Sequence, residues 1–293
     1  MRKAKDLTIF CFFLLLAWTG SAQINTSIAE AYSLQEGLSD RAVSSIVKGR
    51  DSLMWIGTAN GLNKFDGYNF TVFNSDPDDS LRLLNSNIRQ LSTDRNGNLL
   101  ILYENTTWVF NIFDPLTYEL RKVNIDVPSG VKGLIRSIEV DQQGETFVIS
   151  EIGDSTWLFR FDGDSTFQPV FSLLQRHRVQ QNYQVVVRHL SNGDFLINDS
   201  VIGLQLLDRN GKVKKYFLAK DLDKQGSAAS IPYPNRVSFL HEDKFGQIWL
   251  AWENVPGIFN LEFENFTFVR KSEFDQRAYY SAIWEDLPGN LLV

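Results

Sequence analysis

The feature that most limits how this chain can fold is a beat of glycines. Gly97, Gly144, Gly193, Gly246 and Gly289 each close a short polar corner and each precede an apolar stretch. Their spacings are 47, 49, 53 and 43 residues, and Ser52 holds the same place 45 residues before Gly97. Four corners begin with an acid three residues earlier, at Asp94, Asp141, Asp243 and Asp286. Six residues before each corner's end stands an apolar residue: Ile46, Leu91, Ile138, Val187, Leu240 and Ile283. A third mark is an apolar residue followed by an acid, at Phe65-Asp66, Phe113-Asp114, Phe161-Asp162, Leu207-Asp208 and Leu261-Glu262. Three marks in register over five units define an internal repeat, and repeats are read before single elements.

The first unit shows what the repeat contains. It reads as a strand from Val43, a polar turn, a second strand through Trp55, a tight turn at Ala59-Asn60, a third strand ending at Phe65 and a fourth ending at Phe73. Alternation such as Leu62-Asn63-Lys64-Phe65 marks strands with distinct faces. The corners suit Asx-type bonds and a residue free to take positive φ. One four-stranded sheet of this length cannot bury both faces by itself. Stacking such sheets around an axis buries them against each other. The expected fold is therefore all-β, a β-propeller of four-stranded blades. The propeller is expected to occupy residues 23–293, with five full repeats and the start of a sixth. The sixth stops after Gly289, so a truncated ring is expected. Residues 29–34 have the place of a fourth strand without a blade, and are expected to close the ring against the last blade.

Residues 1–22 are set aside as a secretory signal. Arg2, Lys3 and Lys5 precede a short apolar run, and Gly20-Ser21-Ala22 offers small residues for cleavage near Ala22. The formal net charge is −6; removing three basic residues and one acid gives (29−3)−(35−1) = −8. With no Lys/Arg block, binding of nucleic acid through phosphates is not expected. The single cysteine, Cys11, lies inside the signal, so the mature chain is expected to hold neither disulfide nor thiolate site. After the signal no apolar run is long enough to suggest a membrane span.

The chemistry-bearing residues are sparse. His177, His189 and His241 share no metal-ligand spacing, and neither a metal site nor a cofactor is expected. Most acids sit at repeat corners, where they serve the blade, and no catalytic residue stands out. Trp55, Trp108, Trp157, Trp249 and Trp284 read first as sheet-packing residues and second as sugar platforms. The residue just before each inner strand, by contrast, varies from unit to unit. Arg41, Asn87, Tyr183, Arg236 and Tyr279 are the candidate ligand-binding residues, because variable polar and aromatic side chains on a repeated frame suit recognition.

The run Gly37-Leu38-Ser39, Val43, Ile46, Trp55-Ile56-Gly57-Thr58 and Gly61 through Gly67 resembles the two-component regulator propeller repeat. The later units keep the skeleton and lose the Trp-Ile-Gly-Thr wording. The resemblance implies the periplasmic sensor of a bacterial signalling protein, followed by a β-sandwich, a membrane helix and a cytoplasmic kinase or DNA-binding output. It implies an oligosaccharide or other small ligand, inner-membrane anchoring of the full-length protein and a possible homodimer through the ectodomain. No phosphoacceptor-histidine region or ATP-binding segment occurs here, so this chain is not expected to be an enzyme. Two other readings stay open: a secreted propeller lyase or glycosidase acting on polysaccharide, and a protein-interaction scaffold.

Overall fold

The computed structural model describes residues 32–125, 133–153, 155–174, 185–199, 203–217, 237–252, 255–262, 265–268, 284–285 and 291–292. The chain divides into two units, Met1–Ser33 and Leu34–Val293. Of the first, only Tyr32 and Ser33 are described; the expected signal lies outside the described residues. So does most of the segment 29–34, whose last three residues form no strand.

In the second unit every regular element among the described residues is a strand. The first sheet holds β1 (Val43–Lys48), β2 (Met54–Thr58), β3 (Gly61–Phe65) and β4 (Phe70–Phe73). The second holds β5 (Ile88–Thr93), β6 (Leu99–Tyr103), β7 (Val109–Phe113) and β8 (Leu120–Asn124). The third holds β9 (Gly133–Val140), β10 (Thr146–Ile152), β11 (Ser155–Phe161) and β12 (Phe167–Leu174). The fourth holds β13 (Val185–His189), β14 (Phe195–Asp199), β15 (Gly203–Leu207) and β16 (Val213–Phe217). The fifth holds β17 (Val237–Glu242), β18 (Ile248–Trp252), β19 (Val255–Asn260) and β20 (Asn265–Phe268). A two-stranded pair, β21 (Trp284–Glu285) with β22 (Leu291–Leu292), follows. Each four-stranded sheet is an antiparallel meander in chain order, and the five are blades of a β-propeller.

The corners form for the reasons their residues suggest. Asp94 accepts hydrogen bonds at Oδ1 from the N–H groups of Asn96 and Asn98, and its carbonyl accepts from Gly97 N–H. Asp243 repeats this with Phe245, Gln247 and Gly246. The residue closing the corner sits at φ +77° in Gly97 and +78° in Gly246, and Ser52 takes φ +66° at the same place. Only glycine adopts that region without cost. In the first and third blades the acid after the third strand caps the next turn: Asp66 accepts from Tyr68 and Asn69 N–H, and Asp162 from Asp164, Ser165 and Thr166 N–H. Bonds from the N–H groups of Asp164 and Thr166 lower the Asp162 carboxyl to about 2.

The core lies between blades. β6 reads Leu-Leu-Ile-Leu-Tyr because both its faces are buried. Leu99, Ile101 and Tyr103 pack with Trp55, Leu62 and Phe73 of the first blade. Leu100 and Leu102 pack with Ile135, Ile138 and Val148 of the third. The same interleaving joins the third blade to the fourth and the fourth to the fifth. Inner strands are also bonded side chain to backbone. Ser45 Oγ accepts Leu91 N–H at 2.7 Å; Gln90 accepts Ile138 N–H at 3.0 Å and donates to its carbonyl at 2.8 Å.

Candidate functional site

The inner strands begin beside the ends of the second strands. Asn87 carbonyl accepts Glu104 N–H at 2.9 Å, and Asn85 Nδ2 donates to Glu104 carbonyl at 3.2 Å. Among the predicted ligand residues, Asn87 is half-buried here and its backbone closes this end of the second blade. Arg41 is exposed, and its carbonyl accepts Val43 N–H at 3.0 Å. Tyr183, Arg236 and Tyr279 lie outside the described residues.

Two residues into the strand the structure adds what the sequence reading passed over. The pairing of inner and second strands slips by one residue at Ser44, Arg89, Arg136 and Ser238. These four occupy one position of the repeat, two before the apolar mark. A β-bulge re-aims the side chain it carries and is common beside functional sites. In the second and third blades that side chain is arginine. Arg89 Nη1 reaches Glu104 Oε2 at 3.2 Å, and Arg136 Nη2 is ion-paired with Glu151 Oε2. Both pairs are 15 residues apart in sequence, and the second pair lies 47 residues after the first. Arg89 Nε also donates to the Arg136 carbonyl at 3.0 Å, so the two arginines are neighbours across the blade boundary.

Their exposure differs in a telling way. Both arginines keep about a third of their side chains open, at 30% and 32%, while Glu151 is 7% exposed. Glu151 therefore holds the Arg136 guanidinium from a buried position, whereas Glu104, 38% exposed, pairs with Arg89 at the surface. A fixed guanidinium is a rigid fork of N–H donors, suited to hydroxyl or carboxylate oxygens. The Arg136 Nε is buried and has no hydrogen-bond partner.

Trp108 packs against the core between the second and third blades, near the start of the strand that carries Arg136. It lies in the loop between β6 and β7 with φ +57°, a strained conformation for a bulky residue. Gly133, at the start of β9, lies so close beneath its ring that a Cβ there would sit 2.5 Å from Trp108 Cζ2. Trp55 and Trp249 behave as the repeat suggests: their indole N–H groups donate to Asp51 at 3.2 Å and to Asp243 at 2.9 Å. Half-buried Trp108 has no such corner acid among the described residues. The missed signal was legible in retrospect, as an Arg and a Glu 15 apart recurring one period later.

Along the inner strands, Glu139 lies 3.9 Å from Arg188. Burial pushes its carboxyl up to about 7, opposed by the Arg188 charge and a bond from Ser137.

No protein-family model matches the chain. A stretch of 68 residues is 35% identical to histidine kinase P4 of Formosa agariphila, covering 23% of this chain and 5% of that protein. In structure, 89% of the chain aligns with 33% of the extracellular domain of a putative hybrid two-component system from B. thetaiotaomicron, with a TM-score of 0.61 and 16% identity. What the two share is the propeller fold. The structural match thus falls on a domain of the class that the repeat resembles. The extracellular domain of a putative one-component system from the same organism aligns over 89% of this chain and 40% of its own, at 16% identity and a TM-score of 0.36. The propeller spans well under two thirds of each of these proteins.

Proposed function

We propose that this propeller is the extracytoplasmic ligand-sensing domain of a bacterial signal-transduction protein. Its ligand is an oligosaccharide, taken at the face where the inner strands begin, and its output is a downstream kinase or regulator. The observation that carries the reading is the repeated, carboxylate-paired arginine at Arg89 and Arg136, with the strained Trp108 against Gly133 on the strand of Arg136. Fixed donors next to an indole face are the chemistry that sugar hydroxyls and an apolar sugar face require. The fold likeness to an extracellular domain of a putative hybrid two-component system supports the extracytoplasmic placement, and so does the leader-like sequence of residues 1–22. Ligand binding would bias the output by favouring one of two arrangements of the ectodomain.

Titration calorimetry of residues 23–293 against a panel of neutral and acidic oligosaccharides tests this. One panel member should bind, and Arg136→Ala or Trp108→Ala should weaken it about tenfold or more, equal to about 1.4 kcal/mol. Turnover of a polysaccharide by the purified propeller would replace the sensor reading with an enzyme. Binding that survives both substitutions would remove this site from it.

A further inference from the structure

We infer that the propeller carries a second small-molecule site, for a sugar acid, in the cleft between the third and fourth blades. The cleft lies beside the corners that end β9 and β13, at the opposite ends of the inner strands from Arg89 and Arg136. It does not rest on the reading of that first site. Its volume is about 480 Å³, within the roughly 300–1,000 Å³ of small-molecule sites.

The floor of the cleft is built around His189, at the end of β13. Its ring lies 4.8 Å from Phe147 and 4.6 Å from Phe195, both buried. Its Nδ1 meets Asp141 Oδ2 at 2.5 Å, and that carboxylate is 1% exposed. In the second and fifth blades the equivalent oxygen is taken by a neighbour within the same blade, Asn98 Nδ2 or Trp249 Nε1. In the third blade it reaches across to the next blade and holds a histidine. With Nδ1 engaged, the ring has Nε2 left to offer a ligand, and the tautomer at Nε2 is set by the buried acid.

The walls supply positive charge. Arg160 stands on β11, with Nη1 3.8 Å from Glu145 Oε1 and Nη2 donating to Gln168 at 2.8 Å. Arg209 comes from the turn between β15 and β16, and its Nη2 lies over Gly193, 3.6 Å from where a Cβ would stand. Its guanidinium has no hydrogen-bond or ion-pair partner among the described residues. Glu145 lies near Arg160 and its carboxylate stands within 4.8 Å of the His189 and Asp141 donor atoms, so Arg209 is the cationic group of the lining that no acid among the described residues engages. A free guanidinium selects a carboxylate. Gln168, Asn210 and His189 share the same lining and can serve hydroxyl groups. A carboxylate on a compact polyhydroxyl body satisfies all of them.

The test is calorimetry of residues 23–293 with D-galacturonate, D-galactose and acetate. Galacturonate should bind at millimolar or lower concentration, and galactose and acetate each about tenfold more weakly. Arg209→Ala, at an exposed turn, should cut galacturonate affinity about tenfold with an unchanged melting temperature. His189→Gln, checked by its melting curve, should reduce binding further. The inference is overturned if galacturonate does not bind, if acetate binds as tightly, or if Arg209→Ala has no effect.

Discussion

Ser52 is the position where this sequence departs from its own repeat at a measurable cost. It stands at φ +66°, where the equivalent Gly97 stands at +77°. A non-glycine residue there costs about 1–2 kcal/mol. Ser52→Gly is therefore expected to stabilise the propeller by about 1 kcal/mol, less the added entropy of the unfolded chain, read as a higher urea midpoint at unchanged slope. Glu139 makes a second prediction at this scale. Its carboxyl is pushed from an ordinary 4.5 up to about 7, chiefly by burial. The folded state therefore holds this proton more tightly than the unfolded one. The resulting stabilisation is full below about pH 4.5 and is lost as pH rises through about 7. Unfolding free energy should fall across that window, and Glu139→Gln should flatten the fall. Asp162 does not interfere there, because backbone N–H bonds hold its carboxyl at about 2.

At the scale of the blade, the informative comparison is one position seen five times. The apolar mark is buried at Leu91 (4%), Ile138 (1%), Val187 (4%) and Leu240 (8%), while Ile46 is 49% exposed. In the later blades this residue packs toward the preceding blade. On the first blade the same face also exposes Met54 and Val72, and part of it is covered by Leu38. Ile138→Ala should thus cost about 2–5 kcal/mol through lost burial and a cavity. Ile46→Ala should cost under about 1 kcal/mol. Equal costs, measured by denaturant unfolding, would mean that the first blade's face is covered in solution. The alternation of β6 explains why such strands look uniformly apolar in sequence: neither face meets water.

Across the whole molecule, the propeller offers two different faces. One gathers fixed arginines at the bulged heads of inner strands. The other opens a cleft between blades, where a corner acid of one blade holds a histidine of the next. The repeat, the four-stranded meander, the glycine corners and the turn-capping acids were all legible in the sequence, because each depends on a local pattern that recurs. The candidate site was legible only in part. Variation before each inner strand pointed to the end of the blades where Arg89 and Arg136 stand, yet Asn87 uses its backbone there to close the blade. The charged groups stand two residues further on, where a register slip of one residue turns them. His189 showed no ligand spacing in sequence, since its partner Asp141 is 48 residues away. The sequence by itself determined the blade, because turns and alternation are set by near neighbours. Only the tertiary structure decided which side chains meet, because stacking brings residues one period apart into contact and a bulge selects the face they point to.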